Sequence, residues 1–132
     1  MKNLILVRGV PGSGKTTFAM LLTEHNKGIE VCADEYGKQY GPNGEFYPTH
    51  LGKAHEWCES NAHTAMAADV TPIVVHNTFV TPNEMLPYFV LADKYNYRIT
   101  TIIMERRHGG KSAHNVPMET MIAKVKAFDV VI

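Results

Sequence analysis

The sequence predicts an α/β protein built on a parallel sheet of four or five strands with helices on both faces. Three observations point there. A short apolar run, Leu4-Ile5-Leu6-Val7, leads into a glycine-rich loop, Gly9-Val10-Pro11-Gly12-Ser13-Gly14-Lys15-Thr16, and the loop opens a helical pattern over 16–23. Further short apolar runs then alternate with amphipathic stretches. One of them, Pro72-Ile73-Val74-Val75, is apolar without interruption, as a parallel strand buried on both faces requires. Strands and helices in alternation give a parallel sheet with right-handed crossovers.

The 132 residues make one domain, 1–132, able to bury roughly two-thirds of its unfolded surface but without room for a separate substrate domain. Lys plus Arg and Asp plus Glu both number 13. A zero net charge makes any nucleic-acid contact local rather than a broad basic face. Cys32 and Cys58 lie far apart, with no signal peptide before the first strand, and read as reduced structural residues of a cytoplasmic protein. No apolar run approaches the ~20 residues of a membrane span. The seven histidines show no tight ligand spacing with a second histidine or a cysteine, which argues against zinc.

The loop fits G-x-x-x-x-G-K-[ST], and its chemistry explains the spacing. Glycines let successive backbone N–H groups turn inward around phosphates. The following helix offers its N-terminal donors and positive dipole end to the same anion. Lys15 adds a full charge at the β- and γ-phosphates, and the Thr16 hydroxyl can ligate Mg2+. Gly9, Pro11, Gly12, Ser13, Gly14, Lys15, Thr16 and Thr17 are thus the candidate residues for ATP, with Mg2+ at Thr16.

In chain order, the first helix shows Phe18, Leu21 and Leu22 on one face and ends before Gly28. A second strand over 28–33 runs into Asp34-Glu35-Tyr36, at the strand end where open α/β sheets place ligands. Residues 37–49, with three Gly and two Pro, read as loop. Its aromatic residues either stack on a base, line an acceptor pocket, or pin the loop to the body. A helix over 49–68 carries Leu51, Ala54, His55, Cys58, Ala62, Ala65 and Met66 on its stripe, so His55 and Trp57 read as packing residues. The third strand ends in His76-Asn77-Thr78. Thr81-Pro82-Asn83-Glu84 starts a helix to about Tyr95 that buries Met85, Leu86, Phe89 and Val90. A fourth strand spans 98–104. The polar, basic, Gly-hinged stretch 105–115 reads as a phosphate-facing lid, followed by a last helix and an optional fifth strand over 129–132. The architecture expected is a small three-layer P-loop kinase fold.

With these residues placed, the chain resembles the polynucleotide-kinase-like family of P-loop phosphotransferases, which includes 5′-hydroxyl polynucleotide kinases of phages and zeta-toxin-type kinases. The resemblance covers roughly 2–128. It rests on the strand and loop from Leu4 to Thr17, on Asp34-Glu35-Tyr36, on Ala54-His55-Glu56-Trp57, on His76-Asn77-Thr78, and on the basic lid before His114-Asn115-Val116-Pro117. It implies ATP-dependent phosphoryl transfer to a hydroxyl, a 5′-hydroxyl of nucleic acid or nucleotide leading. It implies Asp34 as the base that deprotonates the acceptor, Lys111 as the lid cation on the transferring phosphate, and Arg107 as its substitute. Glu35, Lys38, His76, Asn77 and Thr78 fall at the acceptor site. The protein would be a monomer or small homo-oligomer of the cytoplasm, the host cytoplasm if phage-encoded.

Two positions depart from the family. The phage kinases carry an arginine after the acidic pair and aromatic, where this chain has Gly37 followed by Lys38. They carry an aspartate after the third strand, where this chain has His76. The ATP half is intact and the acceptor half is altered. Two other readings stand beside the first: a small-molecule kinase, and a nucleotide-binding module that no longer transfers phosphate.

Overall fold

The computed structural model describes residues 1–44 and 50–105. In chain order the elements are β1 (Asn3–Arg8), α1 (Lys15–Glu24), β2 (Ile29–Val31), α2 (Ala33–Tyr40), a 3-10 turn (Pro42–Gly44), α3 (Leu51–Ala67), β3 (Ile73–Asn77), α4 (Pro82–Tyr95) and β4 (Arg98–Ile103). The described strands form one four-stranded sheet in the order β2-β3-β1-β4, every pairing parallel. This is the α/β fold of P-loop kinases, as the sequence predicted.

Alternation along β1 and β3 divides the core into two layers. Leu4, Leu6, Ile73 and Val75 pack with Ala54, Cys58, Met66, Met85 and Tyr88 of α3 and α4. Val7 and Val74 face the other way, onto Ala19, with Phe18 and Leu22 of α1 packed against them. The chain leaves β1 toward β2 on one side and leaves β3 toward β4 on the other. The switch point therefore lies between β1 and β3, above the ends of both strands. Arg8 pairs with Asn77 in register at that edge.

Several expectations are corrected. Residues 37–40 belong to α2 rather than to a loop. Two features favour that helix over the glycine that argued against it: Asp34 and Glu35 sit in its first turn, where the dipole favours carboxylates, and its N-terminus is capped from a distant strand. β2 is shorter than 28–33, because α2 begins at Ala33. β3 is longer and includes His76 and Asn77. β4 ends at Ile103.

The helix faces also differ in detail. Leu21 of α1, Leu51 of α3, and Leu86 and Val90 of α4 are 61%, 48%, 54% and 61% exposed. α4 buries Met85, Tyr88 and Ala92 instead, a stripe at i, i+3 and i+7. Counting only the most apolar residues overlooked Tyr88 and Ala92 and rotated the expected face. The start of α4 is as expected: Pro82 opens it, and the Thr81 N–H donates to Glu84 Oε2 at 3.1 Å. The first helix stops at Glu24, capped by His25, so Gly28 does not end it. Lid residues 106–115, the last helix, the optional fifth strand, Phe46 and Tyr47 lie outside the described residues. Among the described residues no helix is long and apolar enough to cross a membrane.

Candidate active site

β1 delivers the chain into the glycine-rich loop at the switch point. Gly9 N–H donates to the Thr78 carbonyl at 3.2 Å, which ties the loop to the segment after β3. No larger residue fits at Gly9: an added Cβ would lie 2.5 Å from Ser13 Oγ and 2.7 Å from the Met104 carbonyl oxygen. The loop closes on itself through Ser13 N–H and the Val10 carbonyl at 3.2 Å. Gly14 has φ 94°, a left-handed value that glycine adopts readily, and α1 starts immediately after it. Gly14 contributes no side-chain cap, so the first N–H groups of α1 are left to face the loop. Lys15 folds back, with its Nζ donating to the Val10 carbonyl at 3.0 Å. Thr16 and Thr17 are exposed on the first turn of α1, and Pro11 and Gly12 are half-buried.

The loop fits a nucleotide phosphate. Ser13 Oγ is buried without a hydrogen-bond partner among the described residues, and at Gly9 the backbone passes too close to Ser13 and Met104 for any side chain. A single hydroxyl at Thr16 suits Mg2+, which keeps waters and takes further oxygens from phosphates. Among the described residues no cluster of three His, Cys, Asp or Glu side chains could hold a metal by itself.

The other wall comes from α2 and the end of β3. Ala33 N–H, at the first position of α2, donates to Asn77 Oδ1 at 2.8 Å. That bond places Asp34 and Glu35, both half-buried, beside the end of β3. Glu35 pairs with Lys38 one turn on, Nζ to Oε1 3.1 Å. The hydrogen bond it donates to Glu35 holds the Lys38 ammonium above its ordinary pKa. Tyr36 and Tyr40 pack on Trp57 of α3, with ring centroids 6.0 Å and 6.4 Å apart. These rings pin α2 to α3, and Trp57 is a packing residue as expected.

His76 lies between the two walls. It is 4% exposed, and its Nε2 has no hydrogen-bond partner among the described residues. Burial pushes the imidazole down to about 4; the Lys15 charge acts in the same direction, against Asp34 and Glu35. His76 is therefore neutral at pH 7. Glu30 Oε2 lies 3.8 Å from Nε2, and desolvation, with Glu35 adding to it, raises the Glu30 carboxyl above its ordinary value.

The structure thus brings together Lys15, Asp34, Glu35, Lys38, His76, Asn77 and Thr78 at one end of the sheet. Arg107 and Lys111 lie outside the described residues. Cys32 and Cys58 are free and buried, with burial pushing their thiols up to about 11 and about 12. They are unreactive structural residues, as expected.

Sequence reasoning missed Arg8, which is fully buried; its guanidinium donates to the Phe79 carbonyl at 3.0 Å and the Val80 carbonyl at 3.4 Å. An arginine closing an apolar strand run was the available signal, since a buried charge must find partners. The capping role of Asn77 had no sequence signal, because its partner is 44 residues away.

Comparison with known proteins places this geometry. A family model described as an AAA domain matches residues 4–121. Human NEDD4-binding protein 2 is 38% identical over 99 residues, which cover 73% of this chain and 5% of that protein. The Pnkp1/Rnl/Hen1 RNA repair complex contains a chain that superposes with a TM-score of 0.65 at 15% identity, covering 95% of this chain and 37% of that one. A sugar kinase from Janibacter superposes with a TM-score of 0.63 at 13% identity, covering 100% of this chain and 80% of that one. The chain spans only a small part of the human relative, and at such low identity the two structures show a shared fold.

Proposed function

The chain belongs to the AAA domain family, and on that premise we propose that it is an ATP-dependent phosphotransferase that moves the γ-phosphoryl group to a hydroxyl. The leading acceptor is a 5′-hydroxyl of a nucleic acid or nucleotide. One observation carries the reading: the phosphate loop is bonded to Thr78 through the Gly9 N–H, and the acidic first turn of α2 is bonded to the adjacent Asn77 through the Ala33 N–H, so loop and acidic pair meet at one strand end. A kinase needs this convergence, because the loose transition state of phosphoryl transfer is accelerated mainly by positioning and charge neutralisation.

In this reading the loop N–H groups, Ser13 and Lys15 bind the ATP phosphates, and Thr16 takes Mg2+, whose charge offsets that of the phosphates. Asp34 accepts the proton of the acceptor hydroxyl. Glu35, Lys38 and Thr78 line the acceptor side, and Asn77, whose amide oxygen accepts from the Ala33 N–H, stands behind it. Residues 105–115 form the lid within a single domain over 1–132, with Lys111 or Arg107 reaching the transferring phosphate. The neighbouring Pnkp1/Rnl/Hen1 RNA repair complex is consistent with a nucleic-acid acceptor.

The buried, neutral His76 and the side-chain-free Gly37 favour a second reading, a small hydroxyl acceptor. Neither offers the two parallel hydrogen bonds with which an arginine grips a phosphate. The sugar kinase neighbour is consistent with this. The test is transfer from γ-labelled ATP with Mg2+ to a 5′-hydroxyl oligonucleotide, a nucleoside 3′-monophosphate, a plain nucleoside and a sugar. Preference for the oligonucleotide supports the first reading, and equal use of the plain nucleoside supports the second. ATP turnover stimulated by none of them, with no labelled product, overturns both.

A further inference from the structure

Residues 77–80 touch each part of the site in turn. Asn77 Oδ1 accepts from the first N–H of α2, and the Thr78 carbonyl accepts from Gly9 of the phosphate loop. The Phe79 and Val80 carbonyls accept from the Arg8 guanidinium, on the last residue of β1. Phe79 is 1% exposed and sits at φ 48°, a left-handed conformation uncommon for a bulky residue. Such a conformation persists where the surroundings over-determine it, and here Gly9 holds the carbonyl before Phe79 while Arg8 holds the Phe79 carbonyl and the one after it. The same segment also holds the start of α2, because Asn77 Oδ1 accepts from the Ala33 N–H at 2.8 Å.

We propose that Arg8 and Asn77 are positioning residues that make 77–80 a brace between the phosphate loop and the first turn of α2, fixing the distance the phosphoryl group travels to its acceptor. The proposal rests on the phosphotransfer reading and adds to it. The donor wall is anchored through Gly9 and Arg8, and the acceptor wall through Asn77, on consecutive residues of one strand end. A misplacement of about 1 Å between reacting groups costs on the order of 10²-fold in rate. Asn77 therefore acts through Asp34 by setting where α2 begins, and Arg8 acts by holding the turn that the loop leans on.

The experiment uses the intact chain with Asn77→Ala, Asn77→Asp and Arg8→Lys, and two readouts. The first is kcat for transfer from Mg·ATP to a 5′-hydroxyl oligonucleotide, beside Mg·ATP affinity by calorimetry. Asn77→Ala is expected to lower kcat on the order of 10²-fold with ATP affinity within about twofold. Asn77→Asp is expected to stay within about fivefold, because a carboxylate oxygen accepts the same N–H and suits a helix N-terminus. Arg8→Lys, which loses the fork that reaches two carbonyls, is expected to fall between them.

The second readout needs no acceptor. Trp57, the single tryptophan, packs on Tyr36 and Tyr40 of α2, so iodide quenching reports how firmly α2 is seated. Quenching is expected to rise in Asn77→Ala and to return toward wild type in Asn77→Asp. Wild-type quenching in Asn77→Ala overturns the brace, as does a kcat loss matched by the loss of ATP affinity, or an Asn77→Asp variant as slow as Asn77→Ala. Should Asn77→Ala not fold, Asn77→Ser, whose shorter hydroxyl cannot span the same gap, is judged by the same criteria. If wild type phosphorylates no acceptor, the phosphotransfer reading falls, and quenching alone decides the brace.

Discussion

The loop from Gly9 to Thr16 and the first turn of α2 face the same space, yet they are held in place by different kinds of contact. Within the loop most bonds are local, Ser13 to Val10, Lys15 to Val10 and Phe18 to Gly14, and the Gly9 N–H adds one long-range tie to the Thr78 carbonyl. The first turn of α2 is fixed by an oxygen 44 residues away, on a strand that is not its neighbour in the chain. A donor site assembled from adjacent residues can be carried as a unit between proteins with different acceptors. The proposed acceptor side, assembled from β2, α2 and the end of β3, changes whenever one of those segments does. Gly37 and His76, the two departures from the polynucleotide-kinase pattern, both fall on the acceptor side.

The comparison breaks most sharply at Asp34. Asp34→Asn removes the proposed base and keeps the shape, so transfer should fall on the order of 10²–10⁴-fold with ATP affinity little changed. Rapid-quench transfer and calorimetry on the same variant check both halves. Glu35→Gln should be milder, and a larger loss there would exchange the two roles.

Lys15→Ala strikes the donor side. It removes a charged donor from the phosphates, a contact worth roughly 1.5–3 kcal/mol. ATP affinity should fall about tenfold or more, with transfer falling further. Unchanged Mg·ATP binding in the folded variant would exclude the loop as the nucleotide site.

His76 sits between the walls and sharpens the comparison through pH. Its folded pKa, about 4, lies below the ordinary 6.5, so the unfolded chain binds more protons between those values. Stability should therefore drop as pH falls through that window, by about 2 kcal/mol between pH 7 and pH 5. Thermal unfolding of wild type and His76→Asn at both pH values measures it. The variant should show a flatter profile, and subtraction also removes the opposing contribution of Glu30, whose carboxyl is raised. Equal slopes would mean that His76 is not held neutral by burial.

Lys38→Ala should have the smallest effect. The Lys38–Glu35 pair reaches solvent, with Lys38 exposed and Glu35 half-buried, so its loss should change stability by less than about 1 kcal/mol. A several-fold rise in acceptor KM at unchanged stability would place Lys38 on the acceptor, and an unchanged KM would leave it a surface pair.

The sequence by itself determined the phosphate loop, the strand before it, the helix after it and the parallel α/β class. All of these are written in neighbouring residues, as glycines at fixed spacing, an apolar run and a capping box at Thr81 and Glu84. Tertiary structure alone decided that 37–40 is helical, because the cap that starts α2 comes from Asn77 and leaves no local trace. It decided that Arg8 points inward to the carbonyls of Phe79 and Val80, because only the pairing of β1 with β3 brings that turn within reach. It decided the protonation of His76 as well. An imidazole's charge depends on how much water surrounds it and which charges lie near, and here both were set by folding Lys15, Asp34 and Glu30 around one strand end.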